Sequence, residues 1–233
     1  MAGRSMVKSR NVAQQLIKDG IVFVNGKKAD KPSLSVSSED VIEIRGELPR
    51  YVGRGGYKLE GAVKQFGITF DGKVCIDVGA STGGFTDCML QNGASLIYAV
   101  DVGTNQLDST LRADSRVVSL ENTDIRAAKD LIKEKADFIG ADVSFISLKL
   151  VLPEIKELLK EQGRAVVLIK PQFEVGKKGL GKNGIVKNSV LREKTVEEIK
   201  SFAAALGFNV LGVVQSPITG GDGNIEYLMY LSV

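Results

Sequence analysis

Histidine and tryptophan are both absent from the 233-residue chain, and there are only two cysteines and five prolines. Without an imidazole, serine and cysteine triads, histidine acid–base catalysis and most catalytic zinc sites are excluded. Proton chemistry here has to run on Lys, Asp, Glu or Tyr. Cys75 and Cys88 have neither metal-ligand spacing nor a paired framework, so both are expected as reduced structural thiols of a cytoplasmic protein. No apolar run is long enough to span a bilayer, and Met1-Ala2-Gly3-Arg4-Ser5-Met6 leads into a polar stretch instead of a signal-peptide core. Neither secretion nor a membrane partner is expected.

What is present is the balance of a folded protein, with 43% apolar and 25% charged residues, in a length that suits one large domain and one small one. A formal net charge of +3 conceals an uneven distribution. Residues 1–58 carry 11 basic and 6 acidic side chains, residues 164–194 carry 8 and 2, and the remainder is acidic. Two basic zones around an acidic body point to a polyanionic partner.

The first zone reads as a small α/β unit. Ser9 can cap a helix whose apolar positions Val12, Ala13, Leu16 and Ile17 recur at helical spacing, and Gly20 can end it. Ile21–Val24 reads as a strand, Asn25-Gly26 as a hairpin turn and Val41–Ile44 as another strand. The run Ser9-Arg10-Asn11-Val12-Ala13-Gln14-Gln15-Leu16-Ile17-Lys18-Asp19-Gly20-Ile21-Val22-Phe23-Val24-Asn25-Gly26 resembles the core of the small RNA-binding domain first known from ribosomal protein S-four. That resemblance implies RNA contacts from the basic helix and hairpin, with Arg10, Lys18, Lys27 and Lys28 as candidates. The family pattern begins one amphipathic helix earlier, for which about eight residues remain here, so the domain, residues 1–46, is expected without its first helix. Residues 47–54 have linker composition and include Arg50 and Arg54, two further candidates for RNA contact, and the second domain is expected over 55–233.

From Lys73 onward strands and helices alternate. Strands are expected at Lys73–Val78, Leu96–Asp101, Arg116–Leu120, Asp137–Asp142, Arg164–Lys170, Asn209–Gln215 and Glu226–Ser232. Helices are expected at Gly83–Gln91, from about Leu148 to near Gly163 with Pro153 disturbing the first turns, and at about Val190–Leu206. Alternation with buried apolar strands argues for a parallel, doubly wound α/β sheet.

Cys75-Ile76-Asp77-Val78-Gly79-Ala80-Ser81-Thr82-Gly83-Gly84-Phe85-Thr86 puts a glycine-rich turn between the first strand and first helix of that sheet, where nucleotide-like ligands bind. The turn is neither a phosphate-binding loop, which needs Gly-Lys-Ser/Thr, nor a dinucleotide fingerprint, because its glycines are Gly79, Gly83 and Gly84. Asp77 suits an ammonium group, Asp101 a ribose diol and Asp124 an adenine edge. Three acids at successive strand ends fit S-adenosylmethionine better than a phosphate-bearing cofactor, with Asp77, Gly79, Ala80, Ser81, Thr82, Gly83, Gly84, Phe85, Asp101, Asp124 and Asp142 as its candidate residues.

Lys58, Asp142, Lys170 and Glu226 fall where strand ends meet the same crevice. The chain resembles the hemolysin-A or TlyA-type family through Arg54-Gly55-Gly56-Tyr57-Lys58-Leu59, Asp142-Val143-Ser144-Phe145-Ile146-Ser147, Lys170-Pro171-Gln172-Phe173-Glu174 and Asn224-Ile225-Glu226-Tyr227-Leu228. The resemblance implies a Rossmann-like S-adenosylmethionine-dependent methyltransferase of the FtsJ-like class, with a seven-stranded mostly parallel sheet, joined to a small N-terminal α/β RNA-binding domain. It further implies methylation of cytidine 2′-hydroxyls in 16S or 23S ribosomal RNA, or both, with ribosomal RNA or ribosomal subunits as partners and Lys58, Asp142, Lys170 and Glu226 as the catalytic set. Lys170 is expected as the base, since burial and a neighbouring ammonium disfavour a lysine's charged form. A membrane-active hemolysin lacks any supporting amphipathic or secretory segment, and a non-catalytic RNA-binding protein would not need the intact four-residue set. The motifs leave the oligomeric state open.

Lys177-Lys178-Gly179-Leu180-Gly181-Lys182-Asn183-Gly184-Ile185-Val186-Lys187 follows the Lys170 strand and is placed to grip RNA phosphates through Lys177, Lys178, Lys182 and Lys187. Reversing the charge at Lys177, Lys178 and Lys182 should weaken RNA binding and flatten the dependence of log Kd on log salt. An unchanged slope in a salt titration would remove this loop from the interface.

Overall fold

The computed structural model describes all residues except Ser5, Lys8, Ser9, Lys177 and Lys178, together with the side chains of Ala2, Arg10 and Asn11. The expected Ser9 cap and the candidate contacts of Arg10, Lys177 and Lys178 therefore lie outside the described residues. The chain divides into two compact units, Met1–Val52 and Gly53–Val233, with the division inside the Gly- and Pro-containing stretch that follows Arg45.

In the smaller unit a 3-10 turn at Ala2–Arg4 precedes helix α1 (Arg10–Lys18). Strands β1 (Val22–Val24), β2 (Lys27–Lys28) and β3 (Ile42–Ile44) form an antiparallel sheet in the order β2-β1-β3. Asn25 and Gly26 have φ of 50° and 77°. Positive φ at both central residues suits a two-residue hairpin loop, whose twist matches that of the strands it joins. The fully buried Leu16 packs with Val22 and Ala29, flanked by Val12, Ile17, Val24 and Ile42. So small a core leaves little apolar area to offset chain entropy.

The larger unit opens with helix α2 (Gly55–Phe66), which ends at Gly67 in the left-handed conformation. Its sheet is built from β4 (Val74–Val78), β5 (Leu96–Val100), β6 (Val117–Leu120), β7 (Ala136–Ala141), β8 (Leu159–Ile169), β9 (Asn209–Gln215) and β10 (Tyr227–Ser232). The order is β6-β5-β4-β7-β8-β10-β9. β4 to β8 pair parallel, whereas β10 is antiparallel to both of its neighbours. The sheet is therefore mixed but mostly parallel, as expected. Helices α3 (Gly84–Gln91), α4 (Ser109–Arg112), α5 (Leu152–Leu158) and α6 (Ser189–Ala205) complete the unit. The central strands are almost wholly apolar, with Ile76, Ile97, Ile139 and Val167 fully buried, because helices cover both faces of a parallel sheet. Chain order reverses direction between β4 and β7, and this switch point opens the crevice in which ligands of open α/β sheets bind.

One element differs from expectation. The helix predicted to run to Gly163 stops at Leu158, and β8 begins at Leu159. Leu158 and Leu159 are both buried, so their apolar pattern fits a helical face and a strand equally well. Pairing decides between them: Leu159 lies opposite Ala136, and the register then shifts before Phe138 meets Arg164.

Candidate active site

The turn after β4 is shaped by close backbone approach. A Cβ on Gly79, whose φ is 81°, would lie 2.7 Å from the Asp142 carbonyl oxygen, so glycine lets the ends of β4 and β7 meet. A Cβ on Gly84 would come within 2.7 Å of the Gly56 backbone nitrogen, which brings the first turns of α2 and α3 together. Ala80 N–H donates to the Val100 carbonyl at 3.1 Å, and the Thr82 carbonyl accepts from Asp108 N–H at 3.2 Å. Gly83 is the left-handed N-cap of α3, and Phe85 is buried against Gly140.

Asp77 is buried beneath this turn. Its Oδ2 accepts from Thr86 N at 2.8 Å and Thr86 Oγ1 at 2.6 Å, while Oδ1 has no hydrogen-bond partner among the described residues. Desolvation pushes its carboxyl up to about 7, against the opposing pull of the Thr86 hydrogen bonds. A buried acceptor without a partner is costly, and a cation or donor arriving in the crevice would satisfy it. Asp101 accepts from Ser81 N through Oδ2 and from Gly103 N through Oδ1, both at 2.7 Å, and so ties the turn to the end of β5. Asp124 is placed differently from an acid free to meet an adenine edge. It caps the 3-10 turn Ile125–Asp130, and its two oxygens take the Arg126 guanidinium at 2.9 and 2.6 Å, which together with the Arg126 N–H holds its carboxyl below the usual range.

Four elements deliver the charged set. Lys58 comes from the first turn of α2, Asp142 follows β7, Lys170 follows β8 and Glu226 precedes β10. Asp142 lies between the lysines, with Oδ2 3.2 Å from Lys58 Nζ and Oδ1 2.6 Å from Lys170 Nζ. Lys58 Nζ also meets Glu226 Oε2 at 2.8 Å, and Lys170 Nζ donates to Ser144 Oγ at 2.8 Å. Lys58, Lys170 and Glu226 are buried while Asp142 is partly exposed, so the pairs are shielded from water where an unmatched charge would be very costly. Glycine matters here too, since a Cβ on Gly220 would sit 2.5 Å from Glu226 Oε1.

Sequence reasoning did not single out Phe145. Its side chain is 91% exposed on a backbone with φ of 63°, and its ring lies 5.0 Å from that of Phe173. A bulky residue in the left-handed region is a strained outlier of the kind that marks functional sites. The available signal was its place inside the motif beginning at Asp142, one residue after the Ser144 that touches Lys170.

The basic candidates are distributed over both units. Lys18, Lys27 and Lys28 are exposed on the smaller one, Lys27 and Lys28 forming β2. Arg50 and Arg54 are exposed, and an Arg54 guanidinium nitrogen donates to the Thr219 carbonyl at 3.3 Å. Lys182 and Lys187 are exposed on a loop held by the buried Asn224, which accepts from Val186 N at 3.0 Å and donates to the Gly184 carbonyl at 3.2 Å. Among the described residues no helix is long and apolar enough to cross a membrane.

Residues 51–233 match the family model of the FtsJ-like methyltransferases and residues 4–42 that of the S4 domain. Among full-length relatives, Hemolysin A of Brachyspira hyodysenteriae is 44% identical over 231 residues, covering 97% of this chain and 95% of the relative. The 16S/23S rRNA (cytidine-2′-O)-methyltransferase TlyA of Mycobacterium tuberculosis is 41% identical over 230 residues, covering 98% and 86%. A solved Streptococcus thermophilus protein put forward as a hemolysin is 46% identical, with a TM-score of 0.81 over 97% of this chain and 84% of its own.

The Asp77 environment has a thermodynamic consequence. Its folded-state value near 7 lies above the ordinary 3.8, so the unfolded chain ionises first and this residue's contribution becomes unfavourable as pH rises from about 4 to 7. Asp77→Asn should raise the thermal midpoint of the ligand-free protein at pH 8 and lose that advantage near pH 4. Equal shifts at both pH values in thermal denaturation would contradict the assignment.

Proposed function

This chain is a member of the hemolysin A/TlyA family of FtsJ-like methyltransferases carrying an S4 domain, and we propose that it transfers a methyl group from S-adenosylmethionine to a cytidine ribose 2′-hydroxyl in 16S or 23S ribosomal RNA, or both. The observation that carries this reading is the buried chain Glu226–Lys58–Asp142–Lys170 at the switch-point crevice. It supports a lysine held by a carboxylate as the group that takes the proton of a ribose hydroxyl.

The acids and the turn fit the methyl donor. The unpartnered Asp77 Oδ1 would take its ammonium group, the lone pairs Asp101 retains beyond its two backbone bonds would take the ribose diol, and Gly79–Phe85 would lie along it. Asp124 would meet the adenine edge once its side chain parts from Arg126, and Asp142 would help to hold the methionine portion. When bound, S-adenosylmethionine supplies a methyl group activated by a sulfonium.

The protein's own task is to orient the 2′-hydroxyl and accept its proton. Lys170 Nζ is in ionic contact with Asp142 Oδ1 and hydrogen-bonded to Ser144 Oγ, which leaves it capacity for a further partner, the ribose hydroxyl. Asp142 Oδ1, 2.6 Å from Lys170 Nζ, balances the positive charge that Lys170 gains on accepting the hydroxyl proton. Lys58, shared between Asp142 and Glu226, keeps Asp142 in place and compensates its charge. Phe145 offers an open aromatic face beside this centre on which the target base stacks, a contact worth about 1–3 kcal/mol in single-strand binding. Arg10, Lys18, Lys27, Lys28, Arg50, Arg54, Lys177, Lys178, Lys182 and Lys187 supply phosphate contacts that position the RNA without reading its sequence.

Lys170→Ala should lower methyl incorporation into unmodified ribosomal subunits by at least about 100-fold, the lower range for loss of a general base, while S-adenosylmethionine affinity measured by calorimetry changes little. Turnover retained in that variant would overturn the assignment of the base. Mapping of the 2′-O-methylated nucleotide identifies the substrate.

A further inference from the structure

Residues 144–148 and 170–174 are held together by three successive side-chain contacts. Lys170 Nζ donates to Ser144 Oγ at 2.8 Å, the rings of Phe173 and Phe145 lie 5.0 Å apart, and Glu174 makes the third connection with both carboxylate oxygens. Ser147 Oγ donates to Glu174 Oε2 at 2.6 Å, and Leu148 N–H donates to Glu174 Oε1 at 2.8 Å. The first contact belongs to the charged set and the second to the aromatic pair. Glu174 touches neither, yet it closes the far end of the loop that carries Asp142, Ser144 and Phe145.

That loop has reason to need closing. Phe145 is strained at φ 63° and is 91% exposed, so burial of its ring contributes little to holding it there. Ser147 also caps the 3-10 turn Leu148–Leu150 by accepting from Lys149 N, and its hydrogen bond to Glu174 orients the hydroxyl for that second role. A half-buried carboxylate that accepts both a hydroxyl and a backbone N–H from one loop fixes that loop in position and direction.

We propose that Glu174 is a positioning residue for methyl transfer: by clamping Ser147 and Leu148 it keeps Phe145 presented beside Lys170 and so sets how productively RNA, but not the methyl donor, is engaged. This rests on the reading that Phe145 receives the target base.

The full chain carrying Glu174→Ala should show kcat/KM for ribosomal RNA reduced by about 10-fold or more, with the Kd for S-adenosylmethionine within about twofold of the parent. Glu174→Gln should recover to within about threefold, because an amide oxygen can still accept from Leu148 N–H and its NH2 can donate to Ser147 Oγ. Since the chain has no tryptophan, Phe145→Trp introduces a single fluorescent reporter on the loop. In that background Glu174→Ala should lower the anisotropy and increase acrylamide quenching, and Glu174→Gln should do neither. RNA turnover at the parent level in Glu174→Ala, or a loss that tracks weakened methyl-donor binding, overturns the proposal. If the parent protein fails to methylate ribosomal RNA, the functional reading fails on its own, and the fluorescence comparison still decides the clamp: unchanged anisotropy and quenching refute it.

Discussion

Asp142 carries one lysine on each carboxylate oxygen, and much of the larger unit's local geometry serves to keep that arrangement balanced. Two ammonium groups this close would repel strongly in a poorly solvated crevice, and a single carboxylate cannot neutralise both. Glu226 supplies the second negative charge through Lys58, and Gly220 leaves room for it. The set therefore requires α2, the ends of β7 and β8 and the start of β10 to arrive at one point. A sheet that reverses direction between β4 and β7, with β10 inserted antiparallel beside β8, brings these elements together.

Close approach of backbone to backbone is the second requirement. Gly79 lets the turn after β4 touch the Asp142 carbonyl, and Gly84 lets α3 reach the backbone of α2 at Gly56. These contacts place the loop around Asp77 and Asp101 directly against the charged set. Within the FtsJ-like methyltransferase architecture, the glycine-rich turn after β4 and the charged set consequently share a wall. Burial also gives Asp77 a different character from Asp101: one keeps an oxygen without a partner, whereas the other uses one oxygen on Ser81 N of the turn and one on Gly103 N of its own loop.

The strands of the larger unit were legible because parallel strands buried on both faces appear as short apolar runs between turns, and Val74–Val78, Leu96–Val100 and Asn209–Gln215 stand within a residue of expectation. The boundary between α5 and β8 was not. Leu158 and Leu159 satisfy either periodicity, and Gly163 looked like a helix end until cross-strand pairing placed Leu159 opposite Ala136. Asp124 caps the turn that follows it and meets the Arg126 guanidinium with both oxygens, a pairing that its residue type alone does not announce. Phe145 and Glu174 were overlooked because an exposed aromatic and a half-buried acid are ordinary residue types, distinguished only by a left-handed backbone and by partners nearly 30 residues away.

By itself the sequence determined the kinds of chemistry available: no imidazole, lysines and acids at strand ends, a glycine turn unsuited to phosphate and basic zones at two places along the chain. Residue type and local spacing carry that information because they set which groups can ionise and which backbone turns are permitted. Tertiary structure alone decided which acid serves two lysines and which loop Glu174 holds through Ser147 and Leu148. Those outcomes depend on distances between segments far apart in the chain, and in a buried site a difference of an ångström separates an ion pair from an unmet charge.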